Sequence, residues 1–194
     1  MAAAFVLGNG ISRSSIDLSV LIRYGSVYGC NALYREFAPT VLVATDRPIS
    51  EQIQQSGYSL QHCFYTRNPQ PGLGARRIPD AYWKHSSGPA AVGIAAQDQH
   101  SKIYLLGFDM GPTEHNRFNN VYADTEFYKA STAPPTYTKN WVAQIQQIAM
   151  SFGHTEFVRV HGATTAVVAE FAKNPNIHSM DLAQFVEQYP VLKS

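Results

Sequence analysis

The sequence predicts a doubly wound, mostly parallel α/β sheet of Rossmann-like type, in a single domain over residues 1–194. Three observations carry this. Short apolar runs alternate with segments of helical spacing along the whole chain. The central runs, within Thr40–Asp46 and Lys102–Asp109, are continuously apolar, as in strands covered on both faces. The 194 residues, 45% hydrophobic and 15% charged, amount to one domain of globular chain. There is no internal repeat and no low-complexity tract.

The elements follow in order. Ala3–Leu7 is an apolar run ending at Gly8, a buried strand. Ser12 or Ser14 caps a short helix with Ile16, Leu18 and Leu21 on its apolar face. Ser26–Asn31 and Thr40–Asp46 are the next strands, Ile49–Ser56 a helix and Leu60–Tyr65 a further strand. Asn68–His85, with three prolines and two glycines, reads as a long irregular stretch, and such a segment in a compact domain is functional or mobile. Pro89–Gln97 is an alanine-rich helix with proline in its first turn. Lys102–Asp109 is the clearest buried strand, and a polar loop, Gly111–Thr138, follows it. Trp141–Phe152 is a helix, Glu156–His161 a strand, Thr164–Lys173 a helix and Asn176–Ser179 a short strand. Asp181 caps a last helix that ends at Tyr189. Ligands of such sheets lie beyond the carboxyl ends of the strands. Loops 68–85 and 111–138, over those ends, are the candidates for a lid.

Net charge is +1, so no global field draws the chain to nucleic acid or anionic lipid. Nucleic acid ranks last among partners, because no recognised module is present. Cys30 and Cys63 lack metal-ligand spacing and read as buried thiols in a reducing compartment. No metal site is expected from them. No apolar run reaches the roughly 20 residues of a membrane helix. Met1–Leu7 lacks the basic start of a signal peptide. A cytoplasmic location is the expectation, and a homo-oligomer stays open.

The chemistry starts at Gly8-Asn9-Gly10-Ile11-Ser12. Glycines between a strand and a helix let the backbone approach an anion, and a helix amino terminus offers free N–H groups. Asn9 and Ser12 add side-chain donors, so a phosphate or a nucleotide is the expected ligand. The run is neither GxGxxG nor a Walker loop, and an ordinary strand-to-helix turn is the alternative. His85-Ser86-Ser87-Gly88-Pro89 is a second small-residue turn opening a helix, where Ser86 or Ser87 also serves as a cap. Asp46 and Asp109 stand at strand ends, suited to a ribose hydroxyl, a metal, a base or simply a turn. Tyr122, Tyr128 and Tyr137 cluster with Arg117 and Lys129, either to steady a leaving phosphate or to pack as an aromatic lid. Arg76, Arg77 and Lys84 suit an acidic or phosphorylated ligand, or a solvated loop.

Three segments in order carry a family resemblance: "VLGNGISRSSID", "YGCNALY" and "SSGPAAVGIAAQDQHSKIYLLGFD". They resemble the bacterial sialyltransferases of glycosyltransferase family 42. Those enzymes have a GNGPS loop, a strand ending in Cys-Asn, and a Ser/Thr-Gly helix opening before a strand closing in Gly-Ile-Asp. The arrangement also looks like that of motility-associated glycosyltransferases and archaeal-type hydroxymethylpterin pyrophosphokinases. It is faintly similar to the first sialyl motif of animal sialyltransferases. The match runs, with gaps, from the amino terminus to Asp109.

The resemblance implies a nucleotide along the strand ends. Asn9, Gly10 and Ser12 would meet its phosphate and ribose, and Asn31 would face it. Ser87 and Gly88 would meet the ribose or base, with Gly107 and Phe108 lining the base pocket. A sialyltransferase of this kind uses a cytidine monophosphate sugar and needs no metal, whereas the pyrophosphokinases use ATP with magnesium. The family places a catalytic histidine before the helix that follows the second loop. Here that stretch, Pro134–Asn140, has none. His115 and His161 are the candidate substitutes, since an imidazole near neutral pKa suits proton abstraction from an acceptor hydroxyl. The leading expectation is thus a nucleotide-sugar-dependent glycosyltransferase. The alternatives are a magnesium-dependent pyrophosphokinase, with Asp46, Asp109 and Asp124 near the metal, and a nucleotide-binding protein without turnover.

Overall fold

The first apolar run forms β1 (Ala3–Leu7), and its side chains alternate between two cores. Ala4 and Val6 face one, Phe5 and Leu7 the other, so both faces of this strand are covered. The structure, a computed structural model, describes residues 3–192. The ends of the predicted 1–194 span, and Met1 of the leader reading, lie outside them.

Seven further strands join β1: β2 (Gly25–Cys30), β3 (Val41–Ala44), β4 (Phe64–Thr66), β5 (Arg76–Arg77), β6 (Lys102–Leu106), β7 (Glu156–His161) and β8 (Ile177–Asp181). They form one sheet in the order β5-β4-β3-β2-β1-β6-β7-β8, and every pairing within it is parallel. This is the predicted α/β fold. The helices are α1 (Arg47–Gln55), α2 (Tyr58–Gln61), α3 (Ser87–Gln97), α4 (Lys139–Ser151) and α5 (Leu182–Gln188). Ala90–Ala96 of α3 and Ile145 and Ile148 of α4 fill the core on one face of the sheet. Ile49 and Ile53 of α1 and Phe185 of α5 fill the other.

Several elements differ from expectation. The helix expected from Ile16 is a pair of 3-10 turns, Ile11–Arg13 and Leu18–Arg23. Neither Ser12 nor Ser14 caps it; Asp17 caps the second turn by accepting from Ser19 N–H. The carboxyl-terminal segment holds this stretch instead, through Asp17 N–H to the Val191 carbonyl at 2.6 Å. Residues 60–65 were expected as strand throughout, but Gly57 (φ +78°) starts α2, and pairing begins only at Phe64. Loop 68–85 is not structureless, since it contains β5 and a 3-10 turn, Asp80–Tyr82. Of the helix expected over Thr164–Lys173, only a 3-10 turn at Ala169–Lys173 forms. The Thr165 hydroxyl accepts from Gly162 N–H, and the Ala166 carbonyl is taken by Arg159, so local side-chain bonds displace helical ones.

Among the described residues no helix is long and apolar enough to cross a membrane. Neither cysteine is in a disulfide; Cys30 is buried, and Cys63, just before β4 toward one side of the sheet, is only half-buried.

Candidate functional site

The chain builds β1 to β5 outward on one side, then returns to add β6 on the other side of β1. Strand order therefore reverses between β1 and β6, where such sheets open a crevice at their carboxyl ends. A cleft of about 470 Å³ lies there, within the range of small-molecule sites. Gly8, Asn9 and Gly10 reach it from β1, Cys30 and Asn31 from β2, Thr45 and Asp46 from β3. Gly107, Phe108 and Asp109 reach it from β6, and Ser86, Ser87 and Gly88 from the start of α3. The second loop closes one side with Phe118, Asn119, Phe127, Tyr128 and Lys129.

The glycines serve close packing of two chain reversals. A Cβ on Gly8 would lie 2.5 Å from the Gly107 carbonyl oxygen. Gly107 itself has φ +68°, a conformation L side chains rarely adopt.

The expectation of bare amides at this bend is corrected. Gly8 N–H donates to the Leu106 carbonyl and Gly10 N–H to the Gly107 carbonyl, both at 2.8 Å. Ile11 N–H donates to Asn119 Oδ1 at 2.9 Å, and Ser12 N–H to Asp109 Oδ2 at 3.0 Å. The Ser12 hydroxyl donates to Asp109 Oδ1, and the Thr164 hydroxyl to Oδ2 at 2.6 Å. The Asp109 carboxylate thus sits where an anion was expected. Ser12 accordingly does not line the cleft, and the N–H groups of Gly8, Gly10, Ile11 and Ser12 are all taken by protein acceptors.

Asp109 has a buried counter-charge. The Arg159 guanidinium is 2% exposed and donates to the carbonyls of Phe108, Ala166 and Asp109 at 2.8–2.9 Å. Burial lowers its pKa to about 10, with Asp109 acting in the opposite sense. Arg159 therefore ties the end of β6 to β7 and the segment after it.

The other predicted residues are distributed as follows. Ser87 bonds Thr45, its Oγ accepting from the backbone N–H and meeting Oγ1, both at 2.9 Å, so it joins α3 to β3. Ser86 is the N-cap residue of α3 but makes no side-chain cap; its Oγ accepts from Trp141 Nε1 at 3.0 Å. Asp46, the N-cap residue of α1, likewise makes no side-chain cap and is exposed. Asn31 has φ +53°, and its Oδ1 is buried with no hydrogen-bond partner. Tyr128 accepts at its hydroxyl from Asn9 Nδ2 at 3.5 Å and Ala32 N–H at 3.3 Å. Burial pushes the Tyr128 phenol pKa up, so it remains a proton donor.

Tyr122 is not part of the cleft lining. It is buried between Arg13, at 2.9 Å, and Glu36, and it locks the second loop onto the segments that follow β1 and β2. Neither predicted histidine lines the cleft. His115 is exposed beside Glu114 at 3.4 Å, because the loop turns outward there. His161, at the end of β7, is half-buried and its Nε2 has no partner. Burial, and then Arg159, lower its pKa. Cleft residues not singled out from sequence include Arg67, Asn119 and Trp141. Arg67 spans to the carbonyls of Trp83 and His85, both at 2.8 Å. Arg67 and Trp141 carry no local pattern that marks them, and Asn119 sits in a polar run of the second loop.

Among the described residues no group of three or more His, Cys, Asp or Glu is placed to hold a metal ion. Of the cleft carboxylates, Asp109 is engaged by three protein donors.

No protein-family model matches the chain, and no curated protein matches it. In three dimensions it is similar to the sialyltransferase CstII from Campylobacter jejuni, solved in complex with a substrate analogue, cytidine-5'-monophosphate. The two share 14% sequence identity, the TM-score is 0.53, and the alignment covers 82% of this chain and 79% of the other. At that identity the likeness shows a sialyltransferase-like fold.

Proposed function

We propose that the chain is a nucleotide-sugar-dependent glycosyltransferase whose cleft holds the nucleoside phosphate of its donor. One observation carries this reading. Asn31 stands at the cleft in a left-handed conformation, with a buried Oδ1 that no protein group satisfies. A buried acceptor left unpaired costs about 1–3 kcal/mol, and strained backbone of this kind collects at ligand sites. A ribose hydroxyl or a base amino group would supply the missing donor. The sialyltransferase-like fold, and the cytidine monophosphate bound to that neighbour, support the same reading.

In this reading the phosphate lies near Asn9, Tyr128 and Lys129. The Tyr128 hydroxyl accepts two protein hydrogen bonds and keeps its own proton to donate. Donors placed where charge builds on the departing phosphate lower the barrier directly. Phe108 and Gly88 would flank the base. Of the two acids lining the cleft, Asp109 is held by three protein donors, so in this reading the exposed Asp46 would take the acceptor proton in place of a histidine.

A thermal-shift panel tests the assignment: CMP, UMP, GMP, AMP and ATP, each with and without magnesium, on the wild type and on Asn31→Gly. Ligand at a hundredfold excess over Kd stabilises by about 2.7 kcal/mol. That corresponds to about 5–10 °C for a chain of this size. A metal-independent shift with CMP that Asn31→Gly cuts by half or more is expected. A shift with ATP alone, and only with magnesium, would replace the transferase with a kinase. Release of CMP from a CMP-sugar then separates turnover from capture, since a pure binding protein holds the donor without releasing product.

A further inference from the structure

A second hollow, of about 400 Å³, lies outside the cleft and is lined by Arg77, Asp80, Trp83, Lys84, His85 and Gln147. One lining residue, His85, is 7% exposed and has no hydrogen-bond partner at either buried ring nitrogen. An imidazole so placed leaves one donor and one acceptor unmet whichever tautomer it adopts. Around it the charge is positive. Arg77 and Lys84 face one acid, Asp80, whose side chain is 91% exposed and meets Arg77 at only 3.5 Å. The Arg77 guanidinium also rests over the Trp83 ring, 4.6 Å from its centre, which holds it at the rim.

We propose that this hollow is a second binding site, for the carboxylate or phosphate group of a small molecule. Arg77 and Lys84 supply the charge, and His85 supplies the buried donor. Asp80 is the competitor the ligand displaces from Arg77; an exposed pair of this kind is weak. The hollow is distinct from the nucleotide cleft but shares a wall with it. Arg67 lines the cleft, and its guanidinium donates to the carbonyls of Trp83 and His85. Ser86, next in sequence, belongs to the cleft. An acidic molecule held in the hollow would therefore lie beside a bound nucleotide.

Binding should also respond to pH. Burial holds the His85 pKa below its ordinary value. The groups around the ring are the edge of Tyr82, Lys84 and Arg77 with Asp80, and Gln147 from α4, while Arg67 holds the His85 carbonyl. An anion beside the ring favours its protonated form, so affinity rises as pH falls.

The test uses the intact chain and inorganic sulfate, whose charge is constant over the range. Acetate is the carboxylate probe, inorganic phosphate the phosphate probe, and sodium chloride holds ionic strength constant. The chain has two tryptophans, Trp83 and Trp141, whose indole N–H signals report the hollow and the cleft separately by nuclear magnetic resonance. The expected result is a saturable shift of the Trp83 signal, with at least threefold tighter sulfate binding at pH 5.5 than at pH 7.5. Arg77→Ala with Lys84→Ala, which changes only rim side chains, should abolish it. CMP should move the Trp141 signal and leave Trp83 in place; its failure to move Trp141 would count against the nucleotide reading and not against this one. A shift matched by chloride, one that persists in the double variant, or no saturation with any of the three anions would overturn the proposal. Acetate binding above phosphate names a carboxylate ligand, and the reverse order names a phosphate.

Discussion

Replacing Asp109 with alanine asks whether this acid builds the site or touches the ligand. Its carboxylate is 4% exposed and accepts from Ser12 N–H, the Ser12 hydroxyl and the Thr164 hydroxyl. Alanine strands all three donors, and each costs about 1–3 kcal/mol when buried and unpaired, less where a hydroxyl can turn away. Alanine also removes the charge that opposes the desolvation of Arg159. The sum is a loss of about 3–5 kcal/mol. Asparagine retains an oxygen for Ser12 N–H and Thr164, so its loss should be about 1–2 kcal/mol. Urea denaturation reads this as a lower midpoint at unchanged slope. In heat, the alanine variant should lose about 6–20 °C in Tm. An alanine variant within 1 kcal/mol of wild type that no longer binds nucleotide would make Asp109 a ligand residue and refute its structural role.

Two further outcomes follow from the same structure. Burial lowers the His85 pKa, and burial followed by Arg159 lowers that of His161. The unfolded chain then takes up protons near pH 6.5 that the folded chain refuses. Their stabilisation is present above that pH and is lost as pH falls through the folded values. Urea midpoints measured from pH 7 down to pH 5.5 should fall, and His85→Asn should flatten the slope; an unchanged slope would contradict this. Gly93→Ala puts a Cβ 2.4 Å from the buried Tyr82 ring. Overpacking of this kind should destabilise by about 1–3 kcal/mol in a denaturant titration, and a neutral result would mean that the ring has room to retreat.

Much of the architecture was legible because burial on both faces imprints itself locally. Lys102–Leu106 and Val41–Ala44 read as covered strands since nearly every side chain in them meets a core. The glycine bends were legible for a similar reason: Gly8 and Gly107 need bare Cα atoms where their backbones touch, whereas the Cys-Asn pair was read only through the family resemblance. What failed locally depended on distant groups. The stretch after β1 was expected to be helical, but its backbone is held by Val191 near the other end of the chain. Likewise the amides of the glycine bend looked free because their acceptors, Asp109 and Asn119, arrive from far along the chain. Tyr122 and Tyr128 looked equivalent in sequence; only the Arg13–Glu36 pair, which captures Tyr122, separates them. The histidines illustrate the limit of residue type as a guide, since chemistry suited to a base says nothing of where the fold will carry it.

The measurement that tests the nucleotide cleft most directly is a calorimetric titration of CMP into the wild type and into Asn31→Gly. Glycine accepts the φ of +53° without strain, so the variant should keep its fold and change only the acceptor offered to the ligand. Saturable binding to the wild type, weakened about tenfold or more in the variant, is the predicted result. Equal affinity in both proteins, or no heat in either, would contradict the account.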